Sequence, residues 1–197
     1  MGFALRDSVR HTYGEYLTWG EAQRYQLIDG EAYLMAPAPS VRHQVVAGEI
    51  YYQVRRALAD SPCRVLIAPV DVLLPKADEA DERVDTVLQP DVLVVCDPAK
   101  VGERNVRGAP DFVVEVLSAS TSGLDQIAKR YHYERSGVRE YWLVHPLDRV
   151  VTIYRLQGDR FGMPETRLLE GETPVEVLPG VSIHWAEVTD GLPPADY

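Results

Sequence analysis

The chain has 197 residues, of which 46% are hydrophobic and 25% charged. That balance fits a single globular domain and excludes a disordered or low-complexity chain. The net charge is -10, from 30 acidic and 20 basic residues, which argues against tight, sequence-independent binding of nucleic acid through phosphate neutralisation. An enzyme acting on nucleic acid is not excluded, because it can gather positive charge locally and use a divalent metal.

No apolar run approaches the roughly 20 residues that a membrane-crossing helix needs. The opening MGFALRDSVRHTYGEY lacks a basic region followed by an apolar one. No signal peptide is therefore expected, and a cytoplasmic, soluble protein is. Cys63 and Cys96 lie far apart without metal-ligand spacing. They are expected to be reduced and to pack as small apolar side chains.

Residues 13–25 (YGEYLTWGEAQRY) predict a short helical entry anchored by Tyr16, Leu17 and Trp19. QLIDGEAYLM reads as strand, turn, strand about Asp29-Gly30, a hairpin dipeptide, and APAPS as a turn. Residues 41–59 form the clearest helix. Val46, Ile50 and Val54 recur there at helical spacing, and Ser40 suits the N-cap.

Strands follow. RVLIAPVDVLL (64–74) is one, QPDVLVVCD (89–97) a second and DFVVEVLS (111–118) a third. The charged run PKADEADERVD between the first two reads as a solvated loop. ASTSG supplies a turn and caps. Residues 122–136 predict a helix, with Leu124, Ile127, Ala128 and Tyr131 along one stripe and Gly137 as its C-cap. EYWLVHP (140–146) and VVTIYRL (150–156) are further strands, with Tyr141 and Trp142 as core aromatics. The strand–helix–strand step from 111 to 146 implies a parallel pair with a right-handed crossover. The expected architecture is α/β or α+β, a mixed central sheet flanked by helices, with an N-terminal hairpin and added C-terminal strands. It is read as one domain over 1–197, with its core at about 40–146.

Three acids fall where an apolar strand would not want them: Asp71 in APVDVLL, Asp91 at the start of DVLVV, and Glu115 in FVVEVLS. A carboxylate in such a strand needs a partner or a metal. Convergence of these acids on neighbouring strands would make an oxygen-rich site for Mg2+ or Mn2+. A strand-end turn or an ion pair would explain each acid singly. Asp125, Lys129 and Tyr133 repeat every four residues and so share a helix face. Lys129 can then hang back toward Glu115, where an ammonium beside two carboxylates would serve phosphodiester hydrolysis. An Asp125–Lys129 surface pair fits the same spacing.

QPDVLVV, APDFVVEVLSAST and DQIAKRYHYERSGVREYWLVHP together resemble the Uma-two family, a restriction-endonuclease-like branch of the PD-(D/E)XK nuclease superfamily. LIDGEAYLMAP and SVRHQ fit the same pattern, so the resemblance runs from about Tyr13 to Ile183. It implies a restriction-endonuclease-like fold and a Mg2+-dependent (or Mn2+-dependent) endonuclease acting on DNA. Asp91 and Glu115 would be metal ligands, joined by the backbone carbonyl of Val116, and Lys129 would be the catalytic lysine. In the superfamily pattern the lysine stands two residues after the second acid, where this chain has Leu117. The branch places it on the following helix, at Lys129. Asp111 reads as a strand-start turn residue.

His43 and Glu49 on the first long helix lie on roughly opposite faces, so only one can serve the site. His43 matches the family's histidine and is favoured. Asp71, Asp125 and Tyr133 rank as supporting residues. Family members often carry an acid where this chain has Gln26. Arg42, Arg55 and Arg56 are one candidate basic patch, and Arg130, Arg135 and Arg139 another. Cutting both strands of a duplex is easiest with two sites, which would favour a homodimer. A binding or regulatory module that keeps the fold without catalysis is the second reading, and a metal-dependent hydrolase of another substrate the third.

Overall fold

The computed structural model describes residues 9–20, 24–35, 39–118, 123–190 and 192, with the side chains of Leu124 and Asp125 left out. The start of the stretch read for a leader, part of the APAPS turn and most of the ASTSG turn lie outside these residues.

The helical entry is shorter than its sequence suggests: α1 covers Tyr13–Tyr16. Strands β1 (Tyr25–Ile28) and β2 (Glu31–Leu34) form the expected hairpin, in which Asp29 and Gly30 both take positive φ. Helix α2 runs Val41–Ala57, and Ser40 caps it by accepting from the backbone N–H of His43. Strands β3 (Arg64–Ile67), β4 (Asp71–Leu73), β5 (Val87–Leu88), β6 (Val92–Val95), β7 (Asn105–Arg107) and β8 (Phe112–Val116) follow. A π-helical turn over Leu124–Lys129 continues as α3 (Arg130–Ser136), and Gly137 ends it in the left-handed region. Strands β9 (Glu140–His145), β10 (Val150–Gln157), β11 (Arg160–Phe161), β12 (Glu165–Leu168), β13 (Glu172–Pro174) and β14 (Ser182–His184) precede a last turn of helix, α4 (Trp185–Thr189).

The architecture is mixed α+β, built on two main sheets. The larger has the order β11-β10-β9-β8-β6-β3, with β12 also paired to β10. Its β8 and β9 are parallel, as the strand–helix–strand step requires, and the other pairs are antiparallel. The smaller has the order β2-β1-β5-β4-β7. The run RVLIAPVDVLL, predicted as one strand, is split between the two sheets. The break falls at the cis Ala68–Pro69 peptide, and proline has no N–H to continue a ladder. β3 therefore joins the large sheet and β4 the small one.

Three apolar layers follow from the two-residue alternation of the strands. Val92, Val94, Phe112, Val114 and Val116 face α2, through Val46, Ile50 and Val54. Leu93, Val95, Val113, Tyr141 and Leu143 point the other way, onto Ile28, Val72, Leu74 and Leu88 of the small sheet and Tyr133 of α3. On the far side of the small sheet, Leu27, Leu73 and Val87 pack on Tyr13, Tyr16 and Trp19. Tyr141 and Trp142 are fully buried, as core aromatics should be.

Two local readings are corrected. Cys63 and Cys96 form a disulfide, with a Cα–Cα distance of 3.9 Å. They stand one step beyond the Arg64–Val95 pair of β3 and β6, and that register brings together two thiols 33 residues apart. The stripe expected along the second helix faces the core only in part: Ala128 packs against it, Ile127 and Tyr131 are exposed, the Leu124 side chain lies outside the described residues, and Lys129, His132 and Tyr133 are buried instead. Lys129 and Tyr133 turn inward because the buried Glu115 carboxylate on β8 gives them a partner, and His132 lies against Asp29 in the β1–β2 turn.

Candidate active site

Asp91 and Glu115 come together through strand register. β6 and β8 pair antiparallel, with Val92 opposite Val114 and Leu93 opposite Val113. One step beyond the ladder, Asp91 stands opposite Glu115. Glu115 shares strand parity with Val113, so it belongs to the layer between the two sheets. It is 2% exposed.

The partners of Glu115 come from the next helix. Lys129 Nζ donates to Glu115 Oε1 at 3.0 Å, and the Tyr133 hydroxyl donates to the same oxygen at 2.8 Å. Lys129 is itself 3% exposed. A buried carboxylate and a buried ammonium thus neutralise each other, which neither could tolerate alone. Lys129 ends the π-helical turn, and Tyr133 lies one turn further on, in regular α-helix.

Asp91 is held from two other sides. Its Oδ2 accepts the backbone N–H of Val116 at 2.7 Å and lies 3.0 Å from His43 Nε2. Its backbone carbonyl accepts from Ala68 N–H at 3.0 Å, which ties the start of β6 to the end of β3. His43 sits in the first turn of α2 and Nδ1 of its ring has no hydrogen-bond partner among the described residues. Glu49 accepts instead from Gln53 Nε2, at 3.2 Å.

Asp71 is not part of this group. It shares strand parity with Leu73 and faces the far side of the small sheet. There it accepts from Gln89 Nε2 at 2.8 Å and from the Tyr13 hydroxyl at 3.3 Å. Burial holds the Asp71 carboxyl above its ordinary value despite these two hydrogen bonds. Burial, and then the Asp71 charge, pushes the Tyr13 phenol up to about 12. Asp125 lies on the π-helical turn with its side chain outside the described residues. Asp111 is a strand-start residue whose Oδ2 accepts from Cys96 N–H at 2.8 Å.

Gln26 and Gln89 carry polar contacts that the sequence reading did not anticipate. Gln26 is buried with Ile28 parity, facing the layer that contains Glu115, and its Oε1 receives Gln89 N–H at 3.4 Å. Gln89 in turn holds Asp71 and directly precedes Pro90-Asp91. The one signal in the sequence is a polar residue in an otherwise apolar stretch at each position. Arg139 pairs with Asp111, Arg135 reaches Asp29, and Arg56 pairs with Glu187.

The donors at Asp91 and Glu115 are oxygen atoms, which suit a hard cation in kind. Among the described residues no three His, Cys, Asp or Glu side chains cluster tightly enough to hold a metal by themselves. Two acids at opposed positions on adjacent strands would suit Mg2+ in number, since it commonly takes one or two protein carboxylates and keeps several waters.

A mixed sheet with paired acids on adjacent strands and a lysine returned from the following helix has a restriction-endonuclease-like fold. The chain belongs to the Uma2 family, described as "Putative restriction endonuclease", whose model matches residues 13–187. It resembles a crystal structure from Anabaena variabilis titled as a putative nuclease of DUF820, at a TM-score of 0.73 and 18% identity, covering 92% of this chain and 98% of that one. It is also 27% identical over 148 residues to the uncharacterized protein slr1290 of Synechocystis sp., covering 74% of each chain. Among the described residues no helix is long and apolar enough to cross a membrane.

Proposed function

We propose that this protein is a metal-dependent DNA endonuclease that hydrolyses phosphodiester bonds. The observation that carries the reading is the cross-strand placement of Asp91 and Glu115, with Lys129 Nζ 3.0 Å from Glu115. Asp91 and Glu115 would hold Mg2+ or Mn2+, with the Val116 carbonyl as a further oxygen donor. The cation would supply Lewis-acid activation and neutralise charge on the phosphate. Lys129 orients the attacking water and stabilises negative charge on the phosphate oxygens in the transition state. His43 fixes Asp91 through its Nε2 contact. A homodimer would present two such sites to the two strands of a duplex.

Nicking of supercoiled plasmid in Mg2+ or Mn2+ tests this reading. Wild type is expected to nick, and Asp91→Ala to lose roughly 100-fold or more in rate, as loss of a charge-stabilising centre does. Equal rates in the two proteins would sink the assignment.

A second reading, a binding or regulatory module without catalysis, has its own support. Both acids are engaged by protein groups, and Gln26 is neutral where family members often carry an acid. Calorimetry with Mn2+ separates the two readings, because a module without a metal site gives no heat of binding.

A further inference from the structure

Two donors meet Glu115 on one oxygen, and they are not equivalent. Lys129 is a compact charge on a flexible four-carbon stem, able to swing to a new partner. Tyr133 is a rigid ring with no exposed surface, packed 5.0 Å from the ring of Tyr141 on β9. Tyr141 is itself in register with Val113 on β8, two residues before Glu115. The hydroxyl of Tyr133 is therefore referenced to the same strand that carries the carboxylate. A glutamate's terminal torsion is broad and soft, so a donor held by a locked ring limits the rotation of the Glu115 carboxylate.

We propose that Tyr133 is a positioning residue for the metal site. It keeps Glu115 Oε1 in place when Lys129 leaves to engage the phosphate, so that the carboxylate holds its orientation for the cation. The inference rests on the reading of Asp91 and Glu115 as metal ligands. It adds a division of labour: the lysine moves and the tyrosine does not. A phenol suits this task because it donates one hydrogen bond from a locked ring and adds no charge to compete with a cation. The arrangement follows the general pattern in which a hydrogen-bond donor behind a ligating carboxylate fixes the ligand's orientation.

The test is Mn2+ affinity by calorimetry for wild type, Tyr133→Phe, Lys129→Met and the double variant, with unfolding midpoints recorded in the absence of metal. Phenylalanine keeps the ring packing against Tyr141. Tyr133→Phe is expected to weaken Mn2+ binding about tenfold, in the range seen for such supporting partners. The loss should persist in the Lys129→Met background. For plasmid nicking, Tyr133→Phe should lower kcat and leave KM for DNA unchanged. Equal Mn2+ affinity in Tyr133→Phe and wild type overturns the inference and leaves the metal site standing. So does a loss that disappears when Lys129 is absent, since Tyr133 would then act only through the lysine. Absence of Mn2+ binding by wild type instead removes the metal-site reading itself.

Discussion

Glu115 and Asp71 both interrupt an apolar strand with a carboxylate, and they come to rest on opposite sides of the small sheet. Glu115 lies between the two sheets, against an ammonium and a phenol from the returning helix. Asp71 lies on the far side, against the neutral donors Gln89 and Tyr13. The first carboxylate is stabilised as an anion by a buried cation. The second is held by dipoles alone and keeps its proton more readily than usual, because burial outweighs two hydrogen bonds. The difference teaches that a buried acid in an apolar run meets a buried cation only on the face that the cation reaches. Strand parity decides whether that happens, because a shift of one residue moves the side chain to the other face.

The sharpest way to break this comparison is to remove the charge of the partner on one side and of the acid on the other. Lys129→Met leaves Glu115 without its buried cation and is expected to cost about 3–5 kcal/mol in chemical denaturation. Asp71→Asn keeps an acceptor for Gln89 or Tyr13 and is expected to cost about 1 kcal/mol. Its plasmid nicking should stay within about threefold of wild type, small beside the loss expected for removing a charge-stabilising group. Equal destabilisation by the two substitutions would mean that the two acids are held alike.

A smaller effect is expected from the disulfide, which staples β3 to β6 at the end opposite Asp91. It closes a loop between residues 33 apart. Replacing both cysteines by serine should cost about 2–4 kcal/mol. Non-reducing and reducing denaturation curves that coincide for the wild type would show that the staple contributes nothing.

The smallest effect concerns the seam between α3 and the small sheet. His132, 2% exposed, places Nε2 3.4 Å from Asp29 Oδ2. Burial lowers the His132 imidazole below its ordinary value of 6.5, more than Asp29 raises it. Between the folded and unfolded values the unfolded chain takes up a proton that the folded chain refuses, so acid favours unfolding. Stability is therefore expected to fall as pH drops below about 6.5. The Tm of wild type between pH 7 and pH 5.5 should fall by about 2–4 °C more than that of His132→Gln. Parallel pH profiles for the two proteins would place the acid sensitivity elsewhere, with His145 the next group lowered by burial.

Much of the fold is legible from the chain. Val46, Ile50 and Val54 announce α2, Asp29-Gly30 the first hairpin, and the strand–helix–strand step the parallel pair of β8 and β9. Glu115 and Asp91 stand out because each contradicts the apolar run around it, and Lys129 because it repeats at helical spacing. These are local signals, and local geometry is set by near neighbours along the chain. What the sequence could not supply depends on the meeting of distant segments. The split of RVLIAPVDVLL into two sheets, the pairing of Cys63 with Cys96 and the direction of Asp71 all follow from strand register and parity across segments tens of residues apart. The inward turn of Lys129 and Tyr133, while Ile127 and Tyr131 stay outside, has the same origin. A helix buries its polar face only where the sheet beneath offers buried charge, and only the tertiary structure puts Glu115 there.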